Sequence, residues 1–377
     1  MASLTTKAGA ASIVLAAGGT GGHLFPAFAL AQELARRGIV VDLVTDQRGD
    51  RYGADFPARA IHRLPSATLK SRSPLAVATT GATLVRGVAA AVGLFRRLRP
   101  AAIVGFGGYP SFAPVVAARL LRLPTLLHEQ NAVLGRANRL LARQVTAVAT
   151  SFEKTKFVAE RAGQTVRCVG NPVRDSVLQW ADQAYREPSR DGPFQLLVFG
   201  GSQGARYFSE LLPAALALLE PRTRARLSVV QQCREEDLAG VKSAYLAQAV
   251  AAQLASFFPN LPEEMANAHL VIARSGASSV AELAVLGRPA ILVPLPHAID
   301  NDQRLNAIRL AESGGAWCIE QAELSPERLA STLNDLMTAP ARLRGAAAAA
   351  RRQGRPEAVT ALANLVEELS GNRSHGT

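Results

Sequence analysis

Four glycine-bearing turns carry much of what this chain offers for binding or transforming a ligand. Gly18-Gly19-Thr20-Gly21-Gly22 runs directly into His23, and Gly105-Phe106-Gly107-Gly108 into Tyr109. Gly200-Gly201-Ser202-Gln203-Gly204 and Ser275-Gly276-Ala277-Ser278 are the other two. A glycine turn that opens a helix binds anions, because its bare N–H groups and the positive end of the helix dipole face the ligand. The same turns also serve as plain packing corners, so neighbouring residues must decide between the two. Neither of the long clusters is followed by Lys-Ser or Lys-Thr, which excludes a triphosphate-binding P-loop. Neither has the spacing of a dinucleotide fingerprint or a convincing acidic residue at the ribose position, so a nicotinamide-dependent oxidoreductase is poorly supported.

His23 stands where the first turn becomes a helix. An imidazole titrates near neutrality and can take a hydroxyl proton during attack on a sugar; a histidine bonded to nearby backbone is the plainer reading. His128-Glu129-Gln130-Asn131 follows the apolar strand Thr125–Leu127, a density of hydrogen-bonding groups that suits a sugar or, equally, a solvated loop. Glu129 is a second candidate for the base. Arg174, after Gly170-Asn171-Pro172-Val173, is either a surface charge or a guanidinium paired with a phosphate or a base carbonyl. Glu282 can be a solvated helix charge or take both hydroxyls of a ribose. Asp300-Asn301-Asp302 is formally Asp-x-Asp, a metal ligand in another class of sugar transferases. It opens a helix, however, where capping or sugar contact fits better than a metal.

Short apolar runs, each leading into glycines and then a helical period, must position these groups. Ile13–Ala17, Ala102–Val104, Gln195–Phe199 and Leu270–Ala273 are such runs. Strand–loop–helix alternation of this kind predicts parallel sheets covered by helices on both faces, with ligands beyond the carboxyl ends of the strands. Two such units lie in each half of the chain, and the polar stretch from Gly170-Asn171-Pro172 to Pro193 reads as the linker. The spacing predicts a first domain over residues 1–172 and a second over 173–354. A last helix within 355–371 returns to the first. Val77, Leu84, Val88, Val92 and Phe95 recur at helical spacing, flanked by Lys70, Arg72, Arg86, Arg96, Arg97 and Arg99. That stripe reads as core with an option for docking at an anionic lipid surface.

At 377 residues the chain can form about two domains, and 48% hydrophobic against 19% charged residues make it globular. No apolar run reaches the ~18 residues of a spanning helix, and the start does not read as a cleaved signal. Cys168, Cys233 and Cys318 lack metal-ligand spacing, in keeping with a reducing compartment. A net charge of +12 favours anionic partners. With 5% aromatics and no nucleic-acid motif, phosphates or an acidic membrane face fit better than DNA or RNA.

In order along the chain, Gly18–Pro26, Gly105–Tyr109, His128–Asn131, Gly170–Arg174, Gly200–Arg206, Arg274–Glu282 and Asp302–Ala307 resemble the motifs of the MurG family of peptidoglycan synthesis. The resemblance implies a GT-B architecture, two Rossmann-like doubly wound parallel-sheet domains facing a cleft. It also implies transfer of N-acetylglucosamine from UDP-N-acetylglucosamine to the C4 hydroxyl of the muramyl sugar of lipid I, with inversion. Carried over, Ser202 and Gln203 face the diphosphate, Arg174 the nucleotide, the backbone near Phe258 the uracil, and Glu282 the ribose. Thr20, Gly21, Gly22, Asn131, Ala277, Ser278, Asp302 and Gln303 belong to the donor side. Thr20, His23 and Tyr109 line the acceptor side, with His23 first and Glu129 second as base. Some members have adjacent glutamines where Asp302-Gln303 stands here, and an apolar residue in place of Ser278. The resemblance further implies no required cofactor, with divalent stimulation left open. It implies a peripheral place on the cytoplasmic face of the bacterial cell membrane, and cell-wall and division proteins as partners. Another GT-B transferase acting on a glycolipid or small molecule, and a non-catalytic nucleotide-sugar-binding scaffold on the membrane, are the alternatives.

Overall fold

The computed structural model of the chain describes residues 12–18, 21–46, 56–67, 73–159 and 161–371, with residues 74–76, 201–205 and 299 described by backbone only. The chain divides into two compact units, one of residues 1–174 with 357–377 and the other of 175–356.

In the first unit, β1 (Ile13–Ala16), β2 (Val41–Thr45), β3 (Ala60–Arg63), β4 (Ala102–Gly105), β5 (Thr125–Glu129), β6 (Ala147–Thr150) and β7 (Thr165–Cys168) form one sheet in the order β3-β2-β1-β4-β5-β6-β7. Every neighbouring pair is parallel. The central strands are short, apolar and buried throughout, as strands covered on both faces must be. Strand order reverses between β1 and β4. Crossovers on the two sides of that point leave in opposite directions and open a crevice at the carboxyl ends. The turn after β1, the Gly105–Tyr109 turn after β4 and the segment after β5 all meet there.

The last helix, Ala358–Gly371, belongs to this unit. Leu362, Ala363, Leu365, Val366 and Leu369 join the core beside Leu30 and Leu34 of the helix Gly21–Arg36. Arg37 reaches Glu367 at 3.0 Å. The helix Pro74–Leu98 is only partly core. Ala91, Leu94 and Phe95 pack inside, whereas Val77 and Val85 are 50% and 69% exposed. Its stretch Val77–Leu98 is long and apolar enough, by length and composition, to cross a membrane, although polar residues interrupt it. The buried end ties it into the fold. Lys70 and Arg72 lie outside the described residues.

In the second unit, β8 (Phe194–Phe199), β9 (Leu227–Gln232), β10 (Ala251–Ala255), β11 (Leu270–Ala273), β12 (Ala290–Leu292) and β13 (Ala316–Cys318) form a parallel sheet ordered β10-β9-β8-β11-β12-β13. Its switch point lies between β8 and β11, where the two remaining glycine turns leave the sheet. The stretch read as a linker is built into this unit from Asp175 onward. Val177 and Ala181 are buried, Tyr185 donates to the His269 carbonyl at 2.8 Å, and the buried Arg288 donates to the Gln183 carbonyl at 3.1 Å. A loose linker would expose such groups; apolar burial and carbonyl pairing hold this one down.

Candidate functional site

At the first switch point, β5 runs two residues further than the apolar pattern suggests and carries His128 and Glu129 into the interior. His128, Glu129 and Gln130 are all essentially inaccessible. They are not the solvated loop polarity that the sequence also allowed, because they satisfy one another and the backbone. Glu129 Oε1 accepts from the Asn131 N–H at 3.0 Å and from Asn131 Nδ2 at 3.2 Å. Its Oε2 accepts from the Gly135 N–H and from Asn138 Nδ2, both at 2.8 Å. Four donors around one buried carboxylate are what its burial requires. With both oxygens hydrogen-bonded, Glu129 shapes the 129–138 segment.

His128 Nε2 lies 3.0 Å from the Gly170 carbonyl oxygen, and His128 Nδ1 lies 3.0 Å from Gln130 Nε2. The same Gln130 Nε2 donates to the His128 carbonyl at 3.0 Å. Gln130 Oε1 in turn lies 3.0 Å from His23 Nδ1. Desolvation pushes His128 down to about 4, with the nearby His23 adding to the effect, so it is neutral at physiological pH. His23 is half-buried in the first turn of Gly21–Arg36. Its ring lies along Gly107 and Gly108, whose φ angles are 86° and 71°. A Cβ at Gly108 would come within 3.2 Å of His23 Cδ2 and 3.4 Å of its Nε2, so only glycine leaves that ring edge clear.

Tyr109 starts the helix Tyr109–Leu120 and is half-buried. Asn131 stays at the segment's edge, tied to Glu129. Arg174 falls at the end of the first unit, with its guanidinium 4.3 Å above the Phe25 ring. Gly21 and Gly22 begin the helix that carries His23. Thr20 lies outside the described residues.

In the second unit, the turn after β8 is the start of the helix Gly201–Ala217, so Ser202 and Gln203 occupy its first turn, their side chains not described. After β11, Gly276 caps the helix Ala277–Leu286, which carries Ala277, Ser278 and the buried Glu282. The hydroxyls of Ser275 and Ser278 are buried without a hydrogen-bond partner among the described residues. Phe258 buries its ring, and its carbonyl accepts from the Leu261 N–H at 3.3 Å. Asp302 Oδ1 accepts from the Gln303 N–H at 2.7 Å at the start of Asp302–Glu312, while Gln303 Oε1 accepts from the Leu295 N–H at 3.0 Å. His297, Asp300 and Asn301 hold φ of 59°, 58° and 54°, left-handed positions filled by the non-glycine types that adopt them most readily.

Arg274, not singled out from sequence, steadies that loop. It is buried, donates to the Val293 and Pro294 carbonyls at 3.2 and 3.1 Å, and pairs with Gln321 Oε1 at 2.6 Å. Gln130, which the sequence gives only as one member of the His128–Asn131 cluster, is the residue that reaches His23. Among the described residues, no group of three or more His, Cys, Asp or Glu side chains is placed to hold a metal ion.

Residues 13–150 match the glycosyltransferase family 28 N-terminal domain, and residues 195–362 match the C-terminal domain of that family. A protein of Methylobacterium sp. (strain 4-46) named UDP-N-acetylglucosamine--N-acetylmuramyl-(pentapeptide) pyrophosphoryl-undecaprenol N-acetylglucosamine transferase is 56% identical, covering 95% of this chain and 96% of its own. The protein of the same name from Rhizobium etli (strain CIAT 652) is 50% identical, covering 96% of each. The crystal structure of Acinetobacter baumannii MurG superposes with a TM-score of 0.77 at 29% identity, over 95% of this chain and 99% of that one.

The buried neutral His128 makes stability depend on pH. Its folded value of about 4 lies below the ordinary 6.5, so the unfolded chain binds the extra proton and stability falls as pH drops through that window. Between about pH 7 and about pH 4.5 this one group should cost about 2 kcal/mol. Urea unfolding of wild type and His128→Gln at both pH values measures it. The variant should lose correspondingly less stability on acidification; equal losses would show that His128 is not held neutral.

Proposed function

The chain belongs to the MurG family of glycosyltransferases, and from that premise we propose that it transfers N-acetylglucosamine from UDP-N-acetylglucosamine to the C4 hydroxyl of the muramyl sugar of lipid I, giving lipid II and UDP. The observation that most supports this chemistry is the imidazole of His23 at the first unit's switch point, one nitrogen anchored by Gln130 and the other edge left open by Gly107 and Gly108. His23 Nε2 takes the proton as the hydroxyl oxygen forms its bond to the anomeric carbon. The bond from that carbon to the diphosphate breaks, UDP leaves, and configuration inverts. A single displacement needs no nucleophilic side chain. The first unit holds the acceptor, through His23, Tyr109 and Thr20.

The second unit holds the donor. The N-terminal turn of Gly201–Ala217, with Ser202 and Gln203, neutralises charge developing on the diphosphate. Glu282 takes the ribose, the backbone near Phe258 the uracil, and Ala277, Asp302 and Gln303, with Asn131 of the first unit, the sugar. Asp302 Oδ1 accepts from the Gln303 N–H in the first turn of Asp302–Glu312, and the displacement as written requires no metal.

The acceptor is a lipid, and the first unit carries a surface suited to reaching it. Val77 and Val85 are exposed on the helix Pro74–Leu98, with Arg86, Arg96, Arg97 and Arg99 also exposed nearby. Each arginine adds about 1 kcal/mol at an anionic surface. The protein docks peripherally on the cytoplasmic face of the bacterial membrane.

Incubation with UDP-N-acetylglucosamine and a lipid I analogue, read by mass and linkage, should give a product heavier by one N-acetylglucosamine, β-linked at C4. Donor binding without turnover would point to a scaffold instead, and equal use of unrelated acceptors to a different transferase. Flotation with vesicles tests the membrane reading. Binding should need anionic lipid and weaken between about 0.1 M and about 0.5 M salt as screening increases. Equal flotation with neutral vesicles would contradict it.

A further inference from the structure

The contacts around Gln130 settle more than the position of His23, because each partner constrains where hydrogens can lie. A backbone carbonyl only accepts. The Gly170 oxygen therefore requires a proton on His128 Nε2, 3.0 Å away. The His128 carbonyl requires that the Gln130 amide turn its NH₂ toward it, at 3.0 Å. That orientation sends the second Gln130 hydrogen to His128 Nδ1, also at 3.0 Å, which must then be a bare lone pair. Burial agrees, since His128 is held neutral and has only one ring proton to place. The Gln130 oxygen is left as an acceptor for His23, 3.0 Å from its Nδ1. Two carbonyls at one end of the chain thus fix a proton at the other.

We propose that the Gly170 carbonyl, acting through His128 and Gln130, holds neutral His23 in the Nδ1–H tautomer, so that Nε2 is the atom that accepts the substrate proton. Gln130 and His128 are positioning residues; neither needs to touch the substrate. The arrangement parallels the general logic by which a third group orients a catalytic imidazole, with a neutral amide here in place of a carboxylate. An amide fixes the tautomer without placing a negative charge beside the ring. His23 Nε2 is also the nitrogen that a side chain at Gly108 would meet at 3.4 Å, so the bare nitrogen faces the cleared edge. The catalytic consequence rests on His23 being the base; the tautomer itself does not.

Long-range ¹H–¹⁵N spectra of histidine-labelled full-length protein read the tautomers directly, at a pH where imidazoles are neutral. Signals are assigned by loss in His23→Gln and His128→Gln. Wild type should show the proton on Nδ1 in His23 and on Nε2 in His128. In Gln130→Met, which keeps the length but removes the acceptor, His23 should shift toward Nε2–H. Its kcat should fall at least about tenfold, toward the ~10⁴-fold that a wrong tautomer costs a serine-protease triad. The KM for UDP-N-acetylglucosamine should stay within about twofold, because tautomer loss acts on proton transfer and not on donor binding. A wild-type His23 with its proton on Nε2 overturns the relay whatever His23 does in the reaction, and needs no variant to fold. The expected tautomers with unchanged kcat in Gln130→Met would keep the hydrogen-bond chain but overturn its catalytic consequence, and with it the assignment of His23 as base.

Discussion

A polar group withdrawn from water must find its partners inside the protein, and the end of β5 is where this constraint acts most strongly. Glu129 enters the interior with four N–H donors closing around its carboxylate. Each hydrogen bond to a charged group is worth about 1.5–3 kcal/mol, so the 129–138 segment has little freedom to take another path. Gln130, next in the chain, is therefore delivered to a fixed place between His128 and His23. The glycines after β4 are the matching constraint from the other side, since any side chain at Gly108 would press on the His23 ring. The placing of His23 in the first unit is thus a consequence of how buried polarity is satisfied.

The second unit solves a similar problem with a cation. Arg274 is buried with no carboxylate partner among the described residues, and burial draws its pKa down. Carbonyls of Val293 and Pro294 accept hydrogen bonds from its Nη1, and the Tyr207 and Phe208 rings lie 5.1 Å from its guanidinium carbon. That clamp fixes Val293 and Pro294, and Gln303 Oε1, accepting from the Leu295 N–H, ties the next residue to the start of Asp302–Glu312. Asn306, buried in the same helix, donates to the Ser275 carbonyl at 3.2 Å and ties the helix to the turn after β11. Rigid loops on a parallel sheet suit a donor site, because stabilising a departing diphosphate depends on dipoles already in place.

Much of the scaffold was legible in the sequence. Apolar runs such as Leu270–Ala273 are short, buried strands, and the glycine turns after them mark the carboxyl ends of the sheets. The interior of the site was not. His128-Glu129-Gln130 reads as loop polarity because its partners, His23, Asn138 and Gly170, lie elsewhere in the sequence, and no local pattern announces that β5 continues to Glu129. The residues after Asp175 read as a linker by composition, yet Val177 and Arg288 anchor them. The exposed half of Pro74–Leu98 and its buried end share one helical period, so periodicity alone could not separate core from surface. Arg174, matched to the nucleotide by resemblance, rests on Phe25 in the first unit.

The role of His23 is the claim on which the account most depends, and the single-turnover rate of His23→Gln at saturating donor and acceptor measures it most directly. Loss of a general base should lower that rate by about 10²–10⁴-fold while UDP-N-acetylglucosamine affinity stays unchanged. A rate close to wild type under the same saturation would contradict the account, leaving His23 as a binding group and the proton acceptor elsewhere.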